Sequence, residues 1–212
     1  MAGQPFSAEE RKAIASAISR AEEGTSGEIV VVVTSSSDGY RSFAVMWAAI
    51  LALAVPLPLI HFTQWPVEHI YLAQLGVFLA GFILSHFEAF RLAVTPRSVQ
   101  RARAHDKAIE QFLAQNMHTT AGRTGVLIFV SFAEHFAEVI ADEAIYSKVP
   151  PKVWEEIVGG LTAKIGRGET MQGFLAAIAA SGALLAEHFP PGLGDCNELP
   201  NHLIVLDAER RA

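Results

Sequence analysis

Acidic side chains follow two of the predicted strands, and they are the residues best suited to chemistry. Asp38 comes after the run GEIVVVVT, and Asp142 and Glu143 come directly after FAEVIA. Carboxylate oxygens at strand ends suit Ca²⁺ or Mg²⁺, and such an ion polarises a phosphoryl oxygen. All three are candidate metal ligands, with Asp38 and Asp142 as the catalytic candidates. The alternative is structural, because SSSDG around Asp38 is typical of a turn and Asp142 with Glu143 of a solvated strand end.

Other motifs indicate a reaction less strongly. The GRTG sequence at residues 122–125 lacks the Gly-Lys-Ser/Thr that opens a helix in phosphate-binding loops, which favours a tight turn, with anion or headgroup binding by Arg123 as the alternative. None of the eight histidines has His-x-x-x-His or His-Glu-x-x-His spacing, which argues against zinc. Cys196 is the only cysteine, which excludes an internal disulfide and a multi-cysteine metal site. No G-x-S-x-G nucleophile elbow is present.

The strands that position these carboxylates are short and almost entirely apolar. Residues 29–33 are five consecutive β-branched residues without alternation, which is typical of a strand covered on both faces. VLIFVSF at 126–132 predicts a second buried strand, and Glu134 with His135 predicts a turn into a hairpin partner at 136–141. LIVL at 203–206 predicts a short edge strand.

Amphipathic helices are predicted around these strands. Ser7 and Glu10 form an S-x-x-E capping box at the start of a helix over 7–23. Two further helices are predicted at 150–165 and 169–188. The helix after Pro96 has a predicted apolar side made of Val99, Ala102, Ile109, Phe112 and Leu113. Because a helical crossover joins the first two strands, they are predicted to be parallel, in a small mixed α/β sheet flanked by helices.

Residues 42–90 contain no Lys or Arg and hold most of two apolar runs, at 43–62 and 70–94. About 20 helical residues span a hydrocarbon core of about 30 Å, so the runs predict a transmembrane helical hairpin over 42–94. The hairpin would interrupt one domain formed by residues 1–41 and 95–212. Two buried helices of a soluble core are the alternative, but a domain of this size rarely buries two charge-poor helices on all sides.

Basic residues predict the orientation of the hairpin. The loop at 61–69 has no Lys or Arg. Before the first run stand Arg11, Lys12, Arg20 and Arg41, and after the second come the predicted membrane-surface residues Arg91, Arg97, Arg101, Arg103 and Lys107. Positive-inside bias therefore places both termini in the cytoplasm, with the second group near anionic lipid headgroups. The late start of the first run excludes a signal peptide. The net charge of −6 argues against nucleic acid as a partner.

The runs GEIVVVVT and RTGVLIFVSFAEHFAEVIADE, followed by a Trp-bearing amphipathic helix, resemble the TPM domain family. That family includes a thylakoid lumen protein tied to photosystem II repair and an auxiliary protein of acetylcholine receptors. Most similar is the short bacterial form, in which two membrane helices interrupt the domain. The resemblance implies an α/β/α sandwich. In some members it also implies acid phosphatase activity and calcium binding by acidic loop residues, and here only Asp38, Asp142 and Glu143 fall at comparable positions. Better-known members hold this domain outside the cytoplasm, whereas the basic flanks here predict it inside.

Two functions are therefore expected. The first is an integral protein of the bacterial inner membrane whose cytoplasmic TPM-like domain binds or stabilises a membrane protein partner or a lipid surface. The second is a metal-dependent phosphatase that uses Asp38 and Asp142 with Ca²⁺ or Mg²⁺. Transport is disfavoured, because two helices enclose no pathway without oligomerisation and the hairpin lacks the intramembrane charge pairs that transport would need.

Overall fold

The computed structural model describes residues 6–120, 122–192 and 198–206. Cys196 lies outside these residues. The described chain divides into two compact units. The α/β unit comprises residues 6–37 and 103–206, and the helical unit comprises residues 38–102.

The helices and strands follow one another along the chain as predicted in outline. They are α1 (Ala8–Glu22), β1 (Glu28–Thr34), α2 (Arg41–Ala54), α3 (Pro56–Phe62), α4 (Val67–Leu84), α5 (Glu88–Val94), α6 (Arg97–Ala114), a 3₁₀ turn (Met117–Thr119), β2 (Gly125–Ser131), β3 (Phe136–Ala141), α7 (Glu143–Tyr146), α8 (Pro151–Gly166), α9 (Thr170–His188) and β4 (Leu203–Leu206).

The four strands form one mixed sheet in the order β3-β2-β1-β4. β1 is parallel to β2, with Glu28 opposite Gly125 and Thr34 opposite Ser131. β4 is parallel to β1 on its other side, and β3 is antiparallel to β2. The predicted parallel pair of β1 and β2, the antiparallel pair of β2 and β3 and the short edge strand β4 are thus all confirmed.

The core of the α/β unit occupies both faces of the sheet. Every residue of β1 and β2 is buried, which confirms the prediction of strands covered on both sides. Ile29, Val31 and Val33 pack with residues of α1, α8 and α9, whereas Val30 and Val32 pack with residues of α6. The capping box of α1 is also confirmed, since Ser7 Oγ accepts from Glu10 N and Glu10 accepts from Ser7 N.

The predicted apolar side of α6 is wrong in part. The structure buries Ala104, Ala108 and Phe112, but it leaves Ile109 40% and Leu113 51% exposed. Small alanine side chains let the helix lie close to the β-branched residues of the sheet. The buried side was therefore selected by side-chain size as well as by hydrophobicity.

The helical unit is a pair of apolar helices, α2 and α4, that pack against each other. Ala44, Ala48 and Ala52 form the buried side of α2. On α4 the contact is made by Gly81, where an added Cβ would lie 2.5 Å from Ala48 Cβ. An added Cβ at Gly76 would meet nothing within 4 Å, so Gly76 is open at this position.

The length of the second apolar run predicted one continuous helix, but the structure divides it into two helices. α4 ends at Leu84, and α5 begins at Glu88. Ser85 Oγ donates to the carbonyl oxygen of Phe82 at 2.6 Å, and the cap residue Phe87 has extended dihedral angles. In the first run Pro56, which has no N–H to donate, separates α2 from α3.

In the part of the chain that the structure describes, three helical segments are long and apolar enough to cross a membrane: Arg41–Phe62, Val67–Leu84 and Thr170–His188. The third, α9, buries Phe174, Ile178 and Leu185 in the core of the α/β unit. At Gly182 an added Cβ would lie 2.6 Å from Ala21 Cβ, so α9 approaches α1 closely. These contacts favour a core role for α9 and leave the first two segments as the membrane candidates.

Candidate functional site

At the end of β3, the Asp142 carboxylate is engaged by Glu143 and Arg123. Its Oδ1 accepts from Glu143 N at 2.7 Å, which caps α7, and its Oδ2 lies 2.9 Å from Arg123 Nε. The Asp142 side chain is only 5% exposed. Arg123 has a positive φ of 53°, a conformation that is unfavourable for a residue with a Cβ. The contacts of Asp142 thus cap a helix and neutralise Arg123, which favours a structural role for both residues.

Glu143 adds little to this group. Its side chain is 87% exposed, and Oε2 lies 3.7 Å from Arg123 NH2. An exposed ion pair at this distance contributes at most about 1 kcal/mol.

Asp38 does not join Asp142 in one site. The backbone N–H of Asp142 donates to Gly125 O at the amino end of β2, which is also the amino end of β1. The segment that leads to Asp38 leaves β1 at the opposite end, about 20 Å away for a seven-residue strand. Asp38 itself is exposed, and its Oδ1 accepts from Gly39 N at 2.5 Å. The chain therefore leaves the sheet towards Asp38 at the end opposite to Asp142.

The surroundings of Asp142 do not fit Ca²⁺ or Mg²⁺. Within the described residues there is no group of three or more His, Cys, Asp or Glu side chains that could hold a metal ion. The guanidinium of Arg123 already compensates the charge of Asp142 and would repel a cation.

Glu134 is a buried carboxylate that the sequence indicated only as part of a turn. It is 4% exposed and accepts from Ser37 N at 2.8 Å, from Ser36 Oγ at 3.2 Å and from Ser131 Oγ. These contacts fix the segment after β1 against the end of β2. The signal in the sequence was the serine-rich exit from β1, which supplies hydroxyl and amide donors.

Glu22 and Glu28 form a second acidic group, at the amino end of β1. Glu22 Oε1 accepts from Ile29 N at 2.7 Å, and Glu28 Oε1 accepts from Glu198 N at 2.8 Å. Burial raises the pKa of Glu22 to about 7, with a smaller contribution from the charge of Glu28. The signal that could have indicated this group is a glutamate at the first position of a fully apolar strand.

The predicted membrane-surface cations differ in their surroundings. Arg97, Arg101 and Arg103 of α6 are exposed. Lys107 Nζ lies 3.0 Å from Glu110 Oε1 in the same helix. Arg91 of α5 is only partly exposed, and its Nε is buried with no hydrogen-bond partner in the described chain.

The chain is similar to a known protein in structure and not in sequence family. No family model and no curated protein matches the chain. The chain is similar in structure to the BA42 protein of the psychrophilic bacterium Bizionia argentinensis, solved by NMR, with 21% sequence identity and a TM-score of 0.61. The similarity covers 97% of this chain and 99% of that one. At this identity it supports the fold alone.

Proposed function

We propose that this chain is an integral protein of the bacterial inner membrane, with α2–α5 as a transmembrane hairpin. Its α/β domain would bind or stabilise a membrane protein partner or a lipid surface from the cytoplasmic side. The predicted resemblance to TPM domains supports the domain part of this proposal, because the residues that carry it form β1, β2 and β3.

One observation carries the membrane part of the proposal. Among the described residues, 22 large hydrophobic side chains are exposed, and 19 of them lie between Met46 and Phe87. No side chain of α4 is buried. In water such an apolar surface would cause aggregation, whereas in a bilayer the same side chains contact lipid acyl chains.

The dimensions of the helices agree with a bilayer. Arg41–Phe62 has 22 residues and Val67–Leu84 has 18, which correspond to about 33 Å and about 27 Å of helix. Both values are close to the hydrocarbon thickness of about 30 Å. Trp65 and Tyr71, near the turn between the helices, are exposed as expected for residues at the headgroup level.

A binding role is favoured over catalysis because the acidic candidates are engaged within the protein. Asp142 caps a helix and pairs with Arg123, and Glu134 accepts from the segment after β1. A metal-dependent phosphatase remains the alternative function. It would require Asp38 and Asp142 to act together, although the segment that leads to Asp38 leaves β1 at the end opposite to Asp142.

A matched pair of substitutions tests membrane insertion. Leu79 in α4 and Leu113 in α6 have similar exposures of 48% and 51%. Leu79→Arg places a charge in the hydrocarbon, which costs about 3 kcal/mol on insertion scales, whereas Leu113→Arg places it in water. We expect the unsubstituted chain and Leu113→Arg to remain in membranes washed with alkaline carbonate. A large part of Leu79→Arg should be extracted, and equal extraction of all three proteins would contradict insertion.

A phosphatase assay tests the alternative. Detergent-purified protein would be assayed on p-nitrophenyl phosphate with and without Ca²⁺ or Mg²⁺. We expect no metal-dependent activity above background. Activity that is abolished in both Asp38→Asn and Asp142→Asn, with an unchanged circular dichroism spectrum, would overturn the binding role in favour of catalysis.

A further inference from the structure

The helical unit contains an apolar groove of about 520 Å³. Its walls come from three helices: Trp47 and Leu51 of α2, Val77 and Leu84 of α4, and Phe90 and Val94 of α5. A groove of this size is in the range of small-molecule sites, which are about 300–1,000 Å³. No side chain that lines it is charged.

The local sequence explains why the groove exists. Gly81 lets α4 approach α2 closely at Ala48, so the two helices are held together at one level. Beyond this level, α4 ends at Leu84 and the chain turns into α5, which packs against α2. The change of direction between α4 and α5 leaves an apolar gap that the side chains of the unit do not fill.

Arg91 lies in sequence between Phe90 and Val94, the two α5 residues that line the groove, although its own side chain does not line it. Phe90 and Val94 are one helical turn apart and face the groove, and Arg91 is adjacent to Phe90. Its Nε is buried and has no hydrogen-bond partner in the described chain. A buried guanidinium donor without a partner is unfavourable, and its strongest partners are planar or tetrahedral anions such as carboxylate and phosphate.

We infer that the groove binds one anionic phospholipid, with an acyl chain along Trp47 and Leu51 and the phosphate on Arg91. This inference rests on the proposed membrane insertion of the hairpin. An anionic phospholipid joins an alkyl chain and an anion in one molecule, so it matches both the apolar groove and the cationic side chain of Arg91, the residue after Phe90. An apolar helix of a partner protein would fill the groove but would bring no anion to Arg91, which makes it the less suitable occupant.

Trp47 provides a direct probe of the groove. In a Trp65→Phe background, the remaining tryptophans are Trp47 and Trp154, and Trp154 is buried in the α/β unit at 5% exposure. Bromine on a lipid acyl chain quenches tryptophan fluorescence on contact. Protein in phosphatidylcholine vesicles would be titrated with phosphatidylglycerol, with either lipid brominated. We expect Trp47 to select phosphatidylglycerol about fivefold over phosphatidylcholine, the ratio that corresponds to about 1 kcal/mol for one cation near anionic lipid.

Two pairs of variants test the site: one distinguishes Arg91 from general surface charge, and the other tests whether the lipid occupies the groove. Arg91→Gln should reduce the preference to about one, whereas Arg97→Gln, which removes an exposed cation, should retain most of it. The preference should also persist at high salt, since buried pairs are screened less than exposed ones. Ala80→Phe, which fills the groove, should weaken quenching of Trp47 by either lipid. Gly76→Phe is its control, because a Cβ there meets nothing within 4 Å.

The other possible outcomes distinguish failure of membrane insertion from failure of the phospholipid site. Absence of quenching by any brominated lipid would show that the hairpin is not in the bilayer, and the proposed function itself would fail. Equal quenching by both lipids would leave insertion intact and reject the phospholipid site. Equal loss of preference in Arg91→Gln and Arg97→Gln would assign it to diffuse surface charge. Protection of Trp47 that increases with protein concentration would assign the groove to a second copy of the chain.

Discussion

Four carboxylates of the α/β domain share one role, although only one of them stood out in the sequence. Glu22, Glu28, Glu134 and Asp142 each accept a hydrogen bond from a backbone N–H. Two of these bonds, from Glu198 N to Glu28 and from Ser37 N to Glu134, join segments that are distant in sequence. A buried carboxylate is tolerated where such donors compensate its charge. Residue type and position in the sequence could not distinguish this role from metal ligation, because the donors are contributed by other segments.

Glu22 should make stability depend on pH. Its pKa is raised from 4.5 in the unfolded chain to about 7 in the folded protein, so the folded state binds the proton more strongly. Stability from this group is complete below about pH 4.5 and is lost as pH rises through about 7. Glu22→Gln, which carries no charge, should therefore be more stable than the unsubstituted protein at pH 8. After allowance for screening at this half-buried side chain, we expect about 1–2 kcal/mol.

Thermal unfolding in detergent, followed by circular dichroism at pH 5, 6.5 and 8, measures this effect. The difference in melting temperature between Glu22→Gln and the unsubstituted protein should grow by a few degrees from pH 5 to pH 8. Glu23→Gln is the control, because Glu23 is the exposed neighbour in sequence. A difference that is constant with pH, or the same in both variants, would contradict the assignment to Glu22.

At the scale of elements, the strands were easier to predict than the sides of the helices. β1 and β2 are almost entirely apolar and buried on both faces, so their prediction did not require a choice between a buried and an exposed side. α6 was harder, because its buried side consists of Ala104, Ala108 and Phe112 while Ile109 and Leu113 face outward. Hydrophobic periodicity weighs large residues most, but close packing on a sheet of β-branched residues selects small ones. The break between α4 and α5 was likewise hidden inside one apolar run.

The contact between α2 and α4 should depend on the absence of a side chain at Gly81. In Gly81→Ala the new Cβ would lie 2.5 Å from Ala48 Cβ and 3.2 Å from Ala48 Cα, so the helices must separate. Overpacking of this kind destabilises by about 1–3 kcal/mol. Gly76→Ala on the same helix should be neutral or slightly stabilising, because the added Cβ meets nothing within 4 Å.

Unfolding of the detergent-solubilised protein by increasing fractions of sodium dodecyl sulfate measures the stability of this helix pair. The double variant Ala48→Gly with Gly81→Ala exchanges the small residue between helices and should recover part of the loss. Equal stability of Gly81→Ala and Gly76→Ala would show that the close approach does not stabilise the hairpin.

At the scale of the whole molecule, the sequence predicted the α/β class, the mixed sheet and its strand pairing. These follow from local patterns and from the rule that a helical crossover joins parallel strands. The candidate site was predicted less well, because Asp38 and Asp142 both follow strands and yet the antiparallel β3 reverses the direction of the chain. Asp142 thus lies at the amino end of β1, whereas the segment to Asp38 starts from the carboxyl end.

The orientation of the whole protein should follow its basic residues. The loop between α3 and α4 has no Lys or Arg, whereas Arg91, Arg97, Arg101 and Arg103 follow α4 within 20 residues of its end. In a Cys196→Ser background, a cysteine in place of the exposed Gln64 should react with a membrane-impermeant maleimide in intact spheroplasts. In the unsubstituted chain, Cys196 should react only in inverted vesicles or lysed cells, with a denatured sample to control for a buried thiol.

Charge substitutions test whether the basic residues are the cause of this orientation. One variant reverses the charge bias of the short flanks: it carries Arg97→Gln, Arg101→Gln and Arg103→Gln, together with Thr63→Lys and Gln64→Lys. In this variant a measurable fraction of Cys196 should become accessible from the outside. The Gln substitutions alone should have a smaller effect. Labelling of Cys196 in intact spheroplasts before any substitution would place the domain outside the cytoplasm. Its partner would then be sought on that side.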